Sequence, residues 1–267
     1  MKIRCHTWQA APAIATDYLN ILRQFGCSEE MQLWGESYVH GHAGRLLWDV
    51  DFLSKNYRFD NCLNVGGAPF LFEYLIRKSQ PELKLVSLDL APHRFPLVSK
   101  ILRTDIIQLD IEQGNALELA DLGKFQCIVF CEIFEHLRIN LLRTVALLGN
   151  LLDQDGILYL TTPNGIGLSA WMSKLTKGRT GPDPVQEWRK LSQIGHMGHV
   201  REYSSREVEE VLRESGLHVA KTFFRRQSTL RGTVRSKIRE TVQVLATNFV
   251  PSLGDEIGIV ARRSARQ

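Results

Sequence analysis

The sequence predicts an α/β protein, a mostly parallel sheet with helices on both faces. Three observations carry that expectation. From about residue 60, short apolar runs of strand character alternate with amphipathic helical stretches across tight turns. Gly66 and Gly67 follow the first strand, and Asp89 and Asp110 fall at the ends of the second and third. A length of 267 residues, with 44% hydrophobic and 23% charged residues, fits one such domain with additions at its ends.

Residues from about 13 to 55 read as helical, because LNILRQF and GRLLWDVDFL repeat apolar residues at helical spacing. FDNCLNV is the first strand, and PFLFEYLIRKS a helix with Pro69 in its first turn. LKLVSLDL is the second strand, ending on Asp89, and DIIQLDI the third, ending near Asp110. FQCIVFC is the fourth and is expected to open directly into a helix, EIFEHLRINLLRTVALLGNLL. Gly156 then starts a fifth strand, GILYLTT.

Ligands of parallel sheets bind beyond the carboxyl ends of the strands, so Gly66, Asp89, Asp110, Glu132 and Pro163 are expected along one rim. Residues 165 to about 198 form a polar connection too long for a passive link, which reads as a lid or substrate segment. SSREVEEVLRESG is a helix started by Ser204 or Ser205 and ended by Gly216. LHVAKTFFRR and EIGIVARR complete the strands. The organisation is thus an N-terminal helical cap over 1–57 and a main domain over 58–267.

No apolar run approaches the roughly 20 residues that span a bilayer. The first residues lack the long apolar stretch of a secretory signal, so a cytoplasmic protein is expected. Cys5, Cys27, Cys62, Cys127 and Cys131 are scattered without a CxxC pair and read as reduced thiols, not a disulfide framework or zinc ribbon. The net charge of +4 is too mild to argue for nucleic acid. It is concentrated from Lys221 onward, where a basic amphipathic helix over about 228–250 suggests a membrane-surface or lipid-linked acceptor.

The run LNVGGAPF, LDL, LDIE, FQCIVFCEIFEHL and DGILYLTTPNG resembles the class I S-adenosylmethionine-dependent methyltransferases. The resemblance implies a Rossmann-like sheet of seven strands, the last antiparallel, with the cofactor over its carboxyl edge. It implies Gly66, Gly67 and Ala68 at the cofactor loop, Asp89 at the ribose, Asp110 at the adenine, and Cys131 and Glu132 at the methyl-donor end, with Leu90 and Ile111 also among the cofactor-binding residues. The loop departs from the family. Asn64 replaces its usual acid, Gly67 fills a variable slot, and Ala68 and Phe70 stand in place of glycines, which is expected to narrow the loop. A nicotinamide-binding fold would need a third glycine at the helix start, and none is present.

Methyl transfer to a hydroxyl needs a base or a metal to take its proton. Glu132, Glu135 and His136, spaced i, i+3 and i+4, are expected on one helical face. They read as base, divalent-metal ligands or a structural cluster. The E-x-x-E-H pattern resembles ubiquinone-type O-methyltransferases and small-RNA 2′-O-methyltransferases, in which it is tied to a metal. His196 and His199 lie in GHMGHVREYS, which resembles a stretch of small-molecule methyltransferases where the histidine sits near the acceptor. His199, ahead of His136, is the expected base. In YVHGHAGR, His40 and His42 read as solvated surface histidines.

The functional expectation is O-methylation of a small molecule, a saccharide, lipid-linked or natural-product intermediate. A metal-assisted RNA 2′-O-methyltransferase and a non-catalytic binding protein are the alternatives.

Overall fold

The structure is a computed structural model, and it describes residues 6–114, 116–179, 181–191, 198–226 and 244–264. Helices α1 (His6–Leu22) and α2 (Glu29–Asn56) precede β1 (Asn61–Val65). Then follow α3 (Leu71–Ser79), β2 (Lys84–Asp89), α4 (Val98–Leu102), β3 (Asp105–Gln108), α5 (Ala116–Ala120), β4 (Phe125–Cys131) and α6 (Leu141–Leu151). The chain continues with β5 (Leu152–Pro163), α7 (Leu168–Lys177), α8 (Pro184–Lys190), α9 (Ser205–Glu214), β6 (Leu217–Arg225) and β7 (Glu256–Arg263).

The seven strands form one sheet in the order β3-β2-β1-β4-β5-β7-β6. β1 to β5 pair in parallel, and β7 runs antiparallel to both β5 and β6. The expected Rossmann-like sheet with an antiparallel last strand is therefore present. Strand order reverses between β1 and β4, which opens a crevice at their carboxyl ends.

Alternation along each strand builds a core on either face. Cys127, Val129 and Tyr159 pack beneath α1, α2 and α3, while Ile128, Phe130 and Leu158 pack beneath α6 and α9. The helix α2 starts on a Ser28 cap, with Glu29 and Glu30 against its positive end. At 28 residues it runs roughly 42 Å, enough to cross the carboxyl edge of the sheet. The helix α9 carries the expected cap, a reciprocal box between Ser204 and Glu207.

Four local expectations are corrected. Pro69 lies before α3, not in its first turn, because Phe70 intervenes in a left-handed conformation (φ 71°). β3 stops at Gln108, and Asp110 falls in the following turn, where its Oδ1 accepts the Glu112 N–H. β4 opens into no helix: Glu132 turns with φ 56° and Phe134–His136 is a single 3-10 turn, with α6 beginning at Leu141. The connection after β5 is largely helical, as α7 and α8. Of the basic helix expected over 228–250, residues 227–243 lie outside the described residues, and 244–249 are helical. No helix among the described residues is long and apolar enough to cross a membrane.

One buried ion network ties α2 to the sheet. The Arg225 guanidinium, at the end of β6, reaches Asp49 of α2 at 2.5 Å and also pairs with Glu256 of β7. The Tyr159 hydroxyl donates to Asp49, and Trp48 lies 4.9 Å beneath the guanidinium. Removing one partner of a buried pair leaves an uncompensated charge and costs about 3–5 kcal/mol. We expect Arg225→Ala to lose that much stability by urea unfolding, and Arg225→Met combined with Asp49→Asn and Glu256→Gln to recover most of it.

Candidate functional site

β1 ends in the glycine turn because only glycine fits there. Gly66 has φ 80°, its N–H donates to the Leu88 carbonyl (2.8 Å), and a Cβ on it would lie 2.2 Å from Ile133 Cδ1. Gly67, which the sequence placed in a variable slot, is equally constrained: its Cβ would meet Glu73 Oε1 and Ser87 Oγ at 2.7 Å. The Ala68 and Ala91 N–H groups donate to the two oxygens of Asp89 (2.9 and 2.8 Å), holding that carboxylate at the end of β2. Phe70 does not narrow the turn. It takes the left-handed backbone that a glycine would supply, and its ring is buried edge-on against Phe95 (5.4 Å).

Beneath the turn sits a carboxylate that the sequence did not single out. Glu73, fully buried on α3, accepts from Asn64 Nδ2 (2.6 Å) and from the Ser87 hydroxyl. The acid missing at position 64 is thus present nearby, contributed by the helix. Burial raises the Glu73 pKa to about 7, against the hydrogen bonds that lower it.

A cleft of about 650 Å³ extends from this turn along the carboxyl edge. Gly66, Ala68, Asp89, Leu90, Asp110, Ile111, Cys131 and Glu132 all line it, so every expected cofactor position except Gly67 reaches one cavity. Its far end is lined by Glu135, His136 and His199, and α2 adds Tyr38, His42 and Arg45.

The expected one-face arrangement of Glu132, Glu135 and His136 is not formed, because the 3-10 turn splits it. Glu132 pairs with Arg45 Nη1 (2.7 Å) and accepts from Thr161 Oγ1 (3.1 Å). Burial raises its pKa, but the Arg45 and Arg225 charges outweigh that and hold it below the usual carboxylate range. Glu135 accepts instead from Thr162 Oγ1 (2.9 Å), and burial together with the Glu132 charge pushes its pKa well up. The two carboxylates are thus pushed in opposite directions, Glu132 towards ionisation and Glu135 towards its protonated form.

The other Glu135 oxygen, Oε1, is buried with no hydrogen-bond partner among the described residues. It faces His136 Nε2 at 3.9 Å and His199 Nε2 at 4.0 Å, with the two rings 4.8 Å apart. His136 Nδ1 lies 3.1 Å from the Gly198 carbonyl, an acceptor, so Nδ1 carries a proton. His199 Nδ1 is 3.5 Å from Glu202 Oε1, and the His199 N–H donates to Glu187 Oε2 of α8 (2.8 Å). The Val200 N–H closes the loop onto the Glu135 carbonyl (2.8 Å). His196 lies outside the described residues.

The expectation for His42 is also corrected. It is no solvated histidine: burial, then Arg45, lowers its pKa to about 3, so it is neutral. Its Nδ1 and the Arg45 Nε are buried without a partner among the described residues. A signal for this was present in YVHGHAGR followed by LLWDVD, where Arg45 and Asp49 interrupt an otherwise apolar helix face and so require buried partners.

A family model described as a methyltransferase domain matches residues 38–222. Solved structures match over most of the chain at low identity. The complex between the Haloferax volcanii Trm112 methyltransferase activator and its methyltransferase matches with a TM-score of 0.58 at 13% identity, over 90% of this chain and 98% of that one. The plantazolicin methyltransferase BpumL, in complex with a triazolic desmethylPZN analog and SAH, matches at 0.55 and 12% identity, over 96% and 99%. The mitomycin 7-O-methyltransferase MmcR matches at 0.50 and 13% identity, over 95% and 68%. No curated protein sequence matches the chain.

A pH dependence follows from Glu73. Its pKa is higher folded than unfolded, so between pH 4.5 and about 7 the folded state binds the extra proton and stability falls as pH rises. We expect Glu73→Gln to remove up to about 3 kcal/mol of that fall. Denaturant midpoints measured across the window check it. Glu256, also raised by burial to about 7, leaves a residual slope in the variant.

Proposed function

The chain belongs to the methyltransferase-domain family, enzymes that use S-adenosylmethionine, and from that premise we propose that it methylates a hydroxyl oxygen of a small molecule. The observation that carries this reading is the single cleft joining the Gly66 turn, Asp89 and Asp110 to the Glu135–His136–His199 cluster.

The cleft fits the donor by volume and by its glycine turn, which a Cβ would fill. The Gly66 and Ala68 backbone receives the amino-acid end, Asp89 the ribose hydroxyls, Leu90 and Ile111 the faces of the base, and Asp110 its amino group. Cys131 and Glu132 close the methyl end. When bound, the donor supplies a sulfonium-activated methyl group: the acceptor oxygen bonds to carbon as the carbon–sulfur bond breaks. The protein's part is then alignment and removal of the acceptor proton.

His199 takes that proton at Nε2. Glu202 at its Nδ1 sets the tautomer and stabilises the imidazolium, and Glu187 and Glu135 hold its backbone in place. His136 and Glu135 position the acceptor hydroxyl. The resemblance in fold to a mitomycin 7-O-methyltransferase supports an oxygen acceptor.

The orphaned Glu135 oxygen favours a second reading. Glu135, His136 and His199 each offer a ligand atom within 4.8 Å of the others, a set that suits a divalent transition metal. The residues present therefore fit an ion, which when bound would lower the pKa of a coordinated hydroxyl. The RNA-directed version of this reading expected Glu132 as a fourth ligand, and that carboxylate is committed to Arg45.

Calorimetric titration with S-adenosylhomocysteine should give binding that Asp89→Ala weakens by about 10–100-fold. A folded protein without affinity overturns the reading. Using labelled donor and a panel of hydroxylated small molecules, His199→Gln should lower kcat by about 10²–10⁴-fold with the S-adenosylhomocysteine affinity unchanged. Under the second reading, chelation abolishes turnover, and Zn²⁺ or Mn²⁺ raises the Tm of the wild type but not of Glu135→Gln. Under the first reading, neither occurs.

A further inference from the structure

The lid helices are built inside out. On α7, Trp171, Leu175, Leu168 and Met172 fall within a sector of roughly 100°. In a helix packed on a core, that sector would face inward. Here α7 buries no residue: Trp171 and Met172 are each 52% exposed and Leu175 69%, while the less exposed positions are Leu168 at its start and the small Ser169, Ala170 and Ser173. The Ser169 N–H is anchored to Asp255 Oδ1 (3.2 Å), which holds the small face against the protein.

Two neighbouring segments repeat the pattern. α8 exposes Trp188 at 74%, and the 244–249 helix ends on Phe249 at 86%. The latter leads straight into the junction from which α7 departs, where Asn164 Nδ2 donates to the Ser252 and Gly254 carbonyls (2.9 and 2.7 Å).

The surroundings are basic. Residues 166–191 contain five cations, Lys174, Lys177, Arg179, Arg189 and Lys190, against two carboxylates, Asp183 and Glu187. Lys174 and Lys177 are exposed and carry no ion pair among the described residues. Lysine is depleted in protein–protein interface cores, whereas exposed tryptophan and leucine bordered by lysine mark helices that lie in the lipid–water boundary.

From this charge complementarity we infer that α7, α8 and the 244–249 helix dock the protein on an anionic lipid surface. α8 links that surface to the cleft, because its Glu187 and Lys190 line the cavity while Trp188 faces out. The acceptor is then an amphiphile presented from the bilayer, a step that rests on the methyltransferase reading. The docking itself does not.

The test is co-sedimentation with phosphatidylcholine vesicles, with and without phosphatidylglycerol, in parallel with S-adenosylhomocysteine calorimetry. Wild-type protein should bind the anionic vesicles, less at high salt, and only weakly the neutral ones. Lys174→Glu with Lys177→Glu should weaken binding at least tenfold, at about 1 kcal/mol for each lysine removed from the surface. Trp171→Ser with Leu175→Ser should weaken it similarly, both variants keeping wild-type cofactor affinity.

Absence of vesicle binding by the wild type overturns the proposal. So does a self-association by sedimentation velocity that Trp171→Ser with Leu175→Ser abolishes, which would make a second copy the occupant. Loss of cofactor affinity in the wild type, with vesicle binding intact, overturns the methyltransferase reading instead.

Discussion

The structure turns on a balance of buried charge. Two arginines, Arg45 and Arg225, lie beneath the carboxyl edge of the sheet, and each is held by carboxylates from a different element. Arg225 joins β6 and β7 to α2 through Glu256 and Asp49, so the helix that roofs the cleft cannot shift without stranding a charge. Arg45, one turn earlier on the same helix, takes Glu132 at the end of β4. Such a pair is costly to assemble and far more costly to break, which makes it a registry device for the cap.

The same balance sets the protonation of the site. With Glu132 ionised against Arg45, a second charge on the adjacent Glu135 would be both desolvated and repelled, which pushes that carboxyl towards its protonated form. His42 beside Arg45 stays neutral for the corresponding reason. An ionised carboxylate, a carboxyl pushed towards its protonated form and the neutral imidazole of His42 thus sit side by side in one cleft. That variety is what an acceptor hydroxyl needs if it is to be held by one group and deprotonated by another.

The glycine turn keeps its shape with different parts. Family glycines would supply left-handed backbone and clearance; here Phe70 adopts the left-handed conformation and sends its ring into the core, while Gly66 and Gly67 supply the clearance. A non-glycine residue at φ 71° costs on the order of 1–2 kcal/mol, and full burial of a phenylalanine offsets it. The acid displaced from Asn64 reappears as Glu73 one helix away. Departures from a motif are therefore poor evidence that a site is lost when neighbouring residues can take over the same physical role.

The sequence alone determined the succession of strands and helices and the placing of Gly66 and Asp89 at the ends of the first two strands, because these follow from local periodicity and turn chemistry; the antiparallel last strand was implied by the resemblance to the methyltransferases. It also brought Glu135, His136 and His199 forward as candidate site residues, from two separate stretches of the chain. Only the tertiary structure decided which of their neighbours belonged with them. Helical spacing put Glu132 in the cluster, but a residue with φ 56° and an arginine 87 positions earlier took it out. Glu73, Glu187 and Arg225 carried no local signal, since what a carboxylate or guanidinium does depends on the burial and partners that distant segments bring. The outward face of α7 was hidden for the same reason: its pattern is that of an ordinary amphipathic helix, and which side meets the protein is settled by packing, not by the pattern.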